Sequence, residues 1–558
     1  MTDSTDQPEP PEQPIPSMPA TPSTSTVEST GDAPVITATA TEVATSTATS
    51  AVPAPAPPRR SKGQITTTVP PLLPWWPPVR TPVPPPVYRA VFASGLAGAI
   101  ALPWGRSGPG WLLVTMVMGV GVLAVARKIP THGPTVPIPP VRVGWAVAAV
   151  VLIGAGVVRA ADWLFVLCVL AACAAGSVAV TGGRSGRALL FGVIAVPAAA
   201  LRCPPWLVRG LPARLRVGVG GARLAGSVLV AVVLVAVFGA LFSGADAAFD
   251  RLLSHVVPSV DGESVFRWVF LFTVAGAGTG GACYLLVAPV PLDDPRGGKP
   301  LRRIEWTLPV GALVALFAAF VAVQAAALFG GDAYVSRTAG LTFAQYARSG
   351  FWQLLWVSVL TLVVIAAVVR WAPASTPLDR AWLRGLLGAL ALLTLVIVAS
   401  ALTRMWAYQQ AYGFTVLRLF VEVCELWLGL VYLLVIIAGA RARGAWLPTT
   451  VVASAVVAVL ALAVMNPDRF VAEHNIARWQ QTGNIDLQYL STLSADAVPA
   501  LNRLPEPLRS CALSDLADRL NNDRDDWRTW NLSRSAARRT VGELPHPSIE
   551  ECSAARPR

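Results

Sequence analysis

Long apolar runs recur along the chain from about residue 88 to residue 465, and polar residues are concentrated in the short segments between them. Most runs approach the roughly 20 residues that a helix needs to cross about 30 Å of hydrocarbon. Because every backbone polar group must be satisfied inside a bilayer, such runs predict transmembrane helices. The predicted helices lie near 88–103, 111–126, 143–158, 162–181, 222–242, 266–289, 307–329, 351–371, 381–403, 417–440 and 447–465.

A twelfth run, 188–201, is short and contains Pro197. If it crossed the membrane, the arginines that follow it would lie outside, and the charge pattern of every later loop would be inverted. If it lies in the interface or re-enters, lysine and arginine gather in the cytoplasmic segments, as the positive-inside rule requires. We therefore predict about eleven transmembrane helices, with a cytoplasmic N-terminus and an extracytoplasmic C-terminus.

The two ends of the chain differ from the apolar middle. Residues 1–86 are rich in Pro, Thr, Ser and Ala, which predicts a disordered cytoplasmic tail because such a segment buries too little apolar surface to offset the entropy of ordering. Residues 466–558 are polar, with helix-start and helix-stop signals, and predict a small extracytoplasmic helical domain. The expected division is thus a tail (1–86), an all-α polytopic membrane helix bundle (87–465) and a C-terminal helical domain.

Composition excludes several functional classes. The chain is 54% hydrophobic and only 14% charged, so the lipid bilayer is its expected environment. Nearly all of its basic residues are arginine, and together with the heavy use of Ala, Val, Gly and Pro this bias indicates a bacterial protein from a GC-rich genome. The arginines do not cluster as nucleic-acid binding requires, so no nucleic-acid partner is expected. No phosphate-binding loop, zinc-protease motif or nucleophile elbow occurs, and the four histidines lack ligand spacing. We expect no cofactor or metal, and a non-enzymatic role is favoured.

Two of the seven cysteines, Cys511 and Cys552, lie in the predicted extracytoplasmic segment. An even pair in that compartment suits a disulfide, and the two residues show no metal-binding spacing. A disulfide and two free thiols are both compatible with the sequence.

The segment that joins the runs 381–403 and 417–440 carries the most polar chemistry. Gly413 suits the end of one helix and Thr415 the start of the next, so a tight hairpin is expected. Glu422 would lie roughly 10 Å below the turn, where an unpaired charge is costly. The candidate functional cluster consists of Arg404, Tyr408, Tyr412, Arg418, Glu422 and Glu425.

Two interpretations of this cluster remain open. In the functional one, Glu422 and Glu425 form a pair of carboxyl groups that responds to protons or cations. In the structural one, static ion pairs Arg418–Glu422 and Arg404–Glu425 lock the two helices together.

Three motifs resemble a bacterial family of multi-pass membrane proteins known as a domain of unknown function, the 4153/4173 group. The first runs from Phe238 through Asp246 to Phe249, and the second is the hairpin from Arg404 to Arg418. The third begins at Asn466-Pro467-Asp468 and continues through His474-Asn475, Arg478, Gly483, Asp486, Tyr489-Leu490, Leu493-Ser494 and Asp496-Ala497-Val498-Pro499-Ala500-Leu501. The resemblance covers about residues 220–505 and implies an integral membrane protein without an established activity.

Three hypotheses for function follow. The first is an envelope or signalling component whose C-terminal domain binds an extracytoplasmic protein partner. The second is a secondary transporter or channel that uses the hairpin cluster. The third is a membrane-embedded transferase, for which the acidic segment from Asp246 to Glu263 is the one candidate location. The sequence specifies no oligomeric state.

Overall fold

The structure is a computed structural model. It describes residues 81–128, 139–182, 186–210, 262–289, 301–339, 351–441 apart from 374, and 444–542, together with residue 552 and scattered positions between 227 and 246. The described residues belong to a compact unit that begins at Pro71. Every regular element within these ranges is helical.

Up to residue 465, the described chain forms helices α1–α12. Their bounds are α1 Pro85–Ala101, α2 Pro109–Ala126, α3 Pro140–Val158, α4 Asp162–Thr181, α5 Gly186–Ala200, α6 Cys203–Gly210, α7 Gly262–Val287, α8 Arg303–Ala339, α9 Phe351–Trp371, α10 Pro377–Tyr412, α11 Val416–Arg441 and α12 Leu447–Met465. Helix starts follow the sequence: prolines occupy the first turn of several helices, where a missing N–H costs nothing.

Nine of the described helices, α2–α4 and α7–α12, are long and apolar enough to cross a membrane. Helix α1 has 17 residues and therefore spans about 26 Å. The predicted run 222–242 lies outside the described residues except at scattered positions. The expected all-α polytopic membrane helix bundle is confirmed.

Several apolar cores hold the described helices of the bundle together. One joins α1 and α5–α7 around Trp206 and Tyr284. A second joins α3, α4 and α12, and a third joins α8–α11 around Trp306 and Tyr432. Helices α1 and α7 approach closely because Gly98 faces Ala275, whose Cβ lies 2.7 Å from where a Cβ on Gly98 would stand.

The twelfth apolar run forms α5 and continues into α6 after a bend of 50°. Pro197 lies inside α5. The start of α5 follows the end of α4 directly, and α6 returns to the start of α1, where Tyr88 Oη donates to Leu207 O at 2.8 Å. Trp206 Nε1 donates to Thr81 O at 3.0 Å in the same region. Since four helices separate the start of α1 from the end of α4, both ends of the α5–α6 pair lie at one end of the bundle.

The C-terminal helices form a separate apolar core, centred on buried leucines such as Leu490, Leu501 and Leu513. We call these helices the cap. They are α13 Pro467–Thr482, α14 Leu487–Ser491, α15 Val498–Leu501, α16 Leu508–Asn522 and α17 Leu532–Val541, with a 3-10 turn at Ala495–Ala497. A disulfide joins Cys511 in α16 to Cys552.

The cap sits on one end of the helix bundle, which we call the capped end. This end carries the α1–α2 loop (102–108), the α3–α4 loop (159–161) and the α10–α11 turn (413–415), together with the end of α12. The capped end and the α10–α11 hairpin below it contain the groups considered next.

Candidate functional site

The α10–α11 turn has the tight geometry that its sequence predicts. Gly413 has a φ of +82°, which favours glycine, and its N–H donates to Gln409 O at 2.8 Å. Its ψ of 167° is extended, so the residue is not a left-handed helical cap. Thr415 Oγ1 accepts from the Arg418 N–H at 3.4 Å and starts α11. A Cβ on Gly413 would lie 2.7 Å from Asn475 Oδ1, so the cap also requires glycine here.

Arg418 turns back toward the end of α10 instead of toward Glu422. Its guanidinium donates to the carbonyl oxygens of Tyr412 and Gly413 and to Tyr408 Oη. It also lies 4.4 Å from the centre of the Tyr408 ring. The physical reason is that the last carbonyls of a helix lack intrahelical partners and attract cations. Three of the six predicted residues therefore form a group at the turn.

Arg404 belongs to a second group, directed toward α8. Its Nη2 donates to Gln324 Oε1 at 2.8 Å, and Ser400 Oγ donates to the same oxygen at 2.6 Å. Both Gln324 and Ser400 are buried, so this network links α8 and α10 inside the membrane part.

Glu422 lies in a third group, together with Gln409 on α10. Gln409 Nε2 donates to Glu422 Oε2 at 3.1 Å. Gln409 is fully buried, and its Oε1 has no hydrogen-bond partner in the described part of the chain. The sequence placed Glu422 on the correct helix face, but the partner it meets is an amide and not an arginine.

Glu425 is buried, with 1% of its surface exposed, and neither of its carboxyl oxygens has a hydrogen-bond partner among the residues that the structure describes. Within the described part of the chain, neither Glu422 nor Glu425 forms an ion pair. The static pairs Arg418–Glu422 and Arg404–Glu425 are thus not formed. Ten residues of α11 separate Glu425 from Thr415, so the carboxyl lies roughly 15 Å below the turn.

Helix α11 itself carries several titratable groups close to Glu425 in sequence. Glu422 is one turn closer to the capped end, Cys424 is the preceding residue, and Tyr432 lies two turns further from the cap. Buried apolar side chains, including Val421 and Leu428, occupy the neighbouring turns. Glu425 therefore sits in an apolar environment without a compensating cation on α11.

Buried polar side chains continue from Glu425 toward the end of the bundle opposite the cap. Tyr432 lies seven residues, or roughly 10 Å, further along α11, and its hydroxyl donates to Ser358 O on α9 at 2.5 Å. Thr394 and Thr361 are buried at 0% and 3% exposure. The α9–α11 interior thus holds polar groups along much of its length.

The cap supplies hydrogen-bond partners to the ends of the membrane helices. Asp496 Oδ2 accepts from the N–H groups of Ala160 and Ala161, at 2.8 and 3.1 Å, where α4 begins. A carboxylate at a helix N-terminus is favourable because it complements the helix dipole and the unpaired N–H groups. Burial raises the pKa of Asp496, and the Ala160 N–H opposes that rise.

The C-terminal ends of α3 and α12 receive hydrogen-bond donors. Asn531 Nδ2 donates to Gly156 O and Arg159 O, at 2.9 and 2.8 Å, at the end of α3. Arg159 in turn donates to Ala463 O at 2.7 Å and Val464 O at 2.9 Å, at the end of α12. Carbonyls that a helix leaves unpaired thus find amide or guanidinium partners.

Three further cap residues hold the α10–α11 turn. Asn475 accepts from Phe414 N at 3.0 Å and donates to Phe414 O at 2.8 Å. Arg478 donates to the last carbonyls of α10, and Tyr489 Oη accepts from Val416 N at 2.7 Å at the start of α11. The cap therefore contacts the hairpin that carries Glu422 and Glu425.

The sequence does not single out these capping residues, because each resembles an ordinary solvated side chain. A signal was present, since the third family-like motif contains Asn475, Arg478, Tyr489 and Asp496. Gln409, the residue after Tyr408, lies outside the predicted cluster, although it is the hydrogen-bond partner of Glu422.

The described ranges contain no group of three or more His, Cys, Asp or Glu residues placed to hold a metal ion. The acidic segment considered for transferase chemistry lies largely outside the described residues.

Comparison with known proteins gives one match. A family model described as Domain of unknown function (DUF4153) matches residues 147–504, nearly two thirds of the chain. The match starts earlier than the resemblance at about residue 220 and includes α10, α11 and the capping residues Asn475 to Asp496. No curated protein and no solved structure matches the chain. The chain therefore belongs to the DUF4153 family, as its three motifs suggested.

Proposed function

We propose that this integral membrane protein is a secondary transporter or channel in which Glu425 binds the proton that is moved or coupled. The observation that carries the proposal is a buried carboxyl group with no partner at either oxygen, near the middle of a membrane-spanning helix. An ionised carboxyl group in that position is costly, so Glu425 requires a proton or a cation. Acidic residues inside membrane helices mark ion and proton pathways, and transporter sites lie near the bilayer midplane.

Polar side chains on either side of Glu425 supply a route for the proton. Toward the capped end, Glu422 and Gln409 form a hydrogen-bonded pair one turn away, and Gln409 has a free acceptor. Toward the opposite end, Tyr432 offers a hydroxyl. A side-chain rotation of Glu425 would bring its carboxyl toward Glu422, because residues three apart share a helix face. Tyr432 lies roughly 10 Å away, two turns further along α11.

For the orientation of the protein, we propose a bacterial plasma membrane with the cap outside and the N-terminus in the cytoplasm. The distribution of arginine between loops and the disulfide at Cys511 support this assignment, since disulfides persist in oxidising compartments. The corresponding domain division is 1–86, 87–465 and 466–558.

An envelope or signalling component is the second candidate. It is favoured by the exposed aromatic side chains of the cap, Trp527 and Trp530, which a protein partner could cover. It has less support because the polar groups of the cap, such as Asn475 and Asp496, are engaged with the membrane helices of the same chain.

Proton flux in proteoliposomes tests the proposal. The full chain is reconstituted with a pH-sensitive dye inside, and a pH gradient is imposed while a potassium ionophore holds the membrane potential. We expect wild-type vesicles to acidify faster than protein-free vesicles, Glu425→Gln to remove the difference, and Glu305→Gln, at an exposed acid near the start of α8, to retain it. Equal flux in wild type and Glu425→Gln would contradict the assignment.

A further inference from the structure

A cavity of about 140 Å³ opens at the capped end, between the α1–α2 loop, the start of α7 and the cap. It is many times larger than the roughly 10–15 Å³ that one water needs. Two tryptophans, Trp104 and Trp268, and two arginines, Arg267 and Arg528, contribute to its wall. Thr529 lies beside them. None of these residues belongs to the Glu425 site.

The two guanidinium groups make the cavity suitable for an anion. Arg267 donates to Ser264 Oγ at 3.5 Å, the long limit of a hydrogen bond, and forms no ion pair with any residue that the structure describes. Arg528 is held in place by Asp526, whose Oδ2 accepts from Nε at 2.6 Å. The other oxygen of Asp526 is occupied by the N–H and hydroxyl of Thr529, both at 2.9 Å. Asp526 therefore orients Arg528, and Arg267, Arg528 and Asp526 together carry one net positive charge.

The cavity lies at the level where lipid headgroups are expected. Trp104 and Trp268 are each 52% exposed, and tryptophan concentrates at the membrane–water interface. The Trp104 ring contacts the edge of Phe270 at a centroid distance of 5.9 Å, which continues the aromatic surface down α7. Below the cavity, α1 presents exposed apolar side chains such as Leu96 and Ile100, along which acyl chains could lie.

We propose that this cavity binds the headgroup phosphate of an anionic phospholipid in the leaflet at the capped end. Arginine suits this task because its guanidinium can bind phosphate oxygens in a bidentate manner. One arginine comes from a membrane helix and the other from the cap. A bound lipid would therefore join the cap to the bundle, beyond the direct contacts already described.

The proposal is tested by thermal unfolding of the full chain in detergent, with phosphatidylglycerol, phosphatidylcholine or inorganic phosphate added. We expect phosphatidylglycerol to raise the Tm in a saturable manner, and phosphatidylcholine to require a higher concentration for the same rise. Arg267→Gln should weaken the apparent affinity for phosphatidylglycerol about tenfold, because a charge-assisted contact is lost. The matched control is Arg503→Gln, at an exposed arginine elsewhere on the cap, and it should leave the affinity unchanged.

Arg528→Gln tests the second arginine and should have a similar effect. Because Arg528 also contacts Asp526, Arg267→Gln is the decisive variant if Arg528→Gln fails to fold. Equal stabilisation by inorganic phosphate and phosphatidylglycerol would identify a free-anion site and overturn the lipid assignment. An unchanged lipid affinity in Arg267→Gln would overturn the cavity assignment.

Discussion

Replacing Glu425 with leucine is expected to make the protein more stable. The carboxyl is buried with neither oxygen hydrogen-bonded, so its removal relieves the cost of burying polar atoms and adds apolar contacts. We expect the free energy of unfolding to rise by roughly 1–3 kcal/mol, in line with the stability that functional sites often sacrifice. Thermal unfolding of wild type and variant in the same detergent measures the effect.

Glu422→Leu is the matched control, since it removes an acid one turn away on the same helix. Glu422 accepts from buried Gln409, so its loss leaves the Gln409 amide without that partner. We expect this variant to be less stable than wild type by roughly 1–3 kcal/mol. A lower stability of Glu425→Leu would show instead that Glu425 has a structural role.

The second large effect concerns the attachment of the cap. Asp496→Ala leaves the N–H groups of Ala160 and Ala161 without their acceptor in a buried interface. Each lost charge-assisted hydrogen bond costs about 1.5–3 kcal/mol, so we expect a total loss of about 3 kcal/mol or more. Faster amide hydrogen exchange at the start of α4 and in the 3-10 turn of the cap should accompany this loss.

Asp518→Ala provides the control for that experiment, because Asp518 is an exposed acid on the cap helix α16. Its effect should stay within about 0.5 kcal/mol, as is usual for surface substitutions. If amide exchange in Asp496→Ala is as slow as in Asp518→Ala and wild type, the hydrogen bonds of Asp496 do not contribute to holding the cap on α4.

The cap contacts and the Glu425 site are physically connected. Asn475 and Arg478 hold the turn between α10 and α11, and these two helices carry Gln409 and Glu425. A change in how the cap sits would therefore alter the relative position of the two helices at the polar groups. This arrangement gives a role to the polar side chains of the cap that form hydrogen bonds with backbone groups at the ends of membrane helices.

The membrane helices were predictable because hydrophobic runs report directly on burial in lipid. The predicted and observed helices differ at their ends. Helix α10 is predicted over 381–403 and extends from Pro377 to Tyr412 in the structure. Thr376 and Asp379 form a capping box that begins it earlier, and its polar last turns remain helical against the cap. Hydropathy therefore measures the part of a helix that lies in lipid and not its full length.

The sequence predicts the helix face on which the candidate site lies, but not the partners of its side chains. The spacing of Arg418, Glu422 and Glu425 placed them correctly on α11, but it could not show that Arg418 turns toward the end of α10. The contact between Asp496 and Ala160 joins residues 336 positions apart, and no local pattern encodes it. Partners across such separations are fixed by tertiary packing.

The central claim is that Glu425 carries an exchangeable proton in the middle of the membrane. Infrared spectroscopy of the reconstituted protein tests it directly, because a protonated carboxyl has a C=O stretching band that shifts when H2O is replaced by D2O. We expect wild type to show such a band, and Glu425→Gln to lack it while other bands are retained. Identical spectra for the two proteins, or a Glu425 band that does not shift in D2O, would contradict the claim.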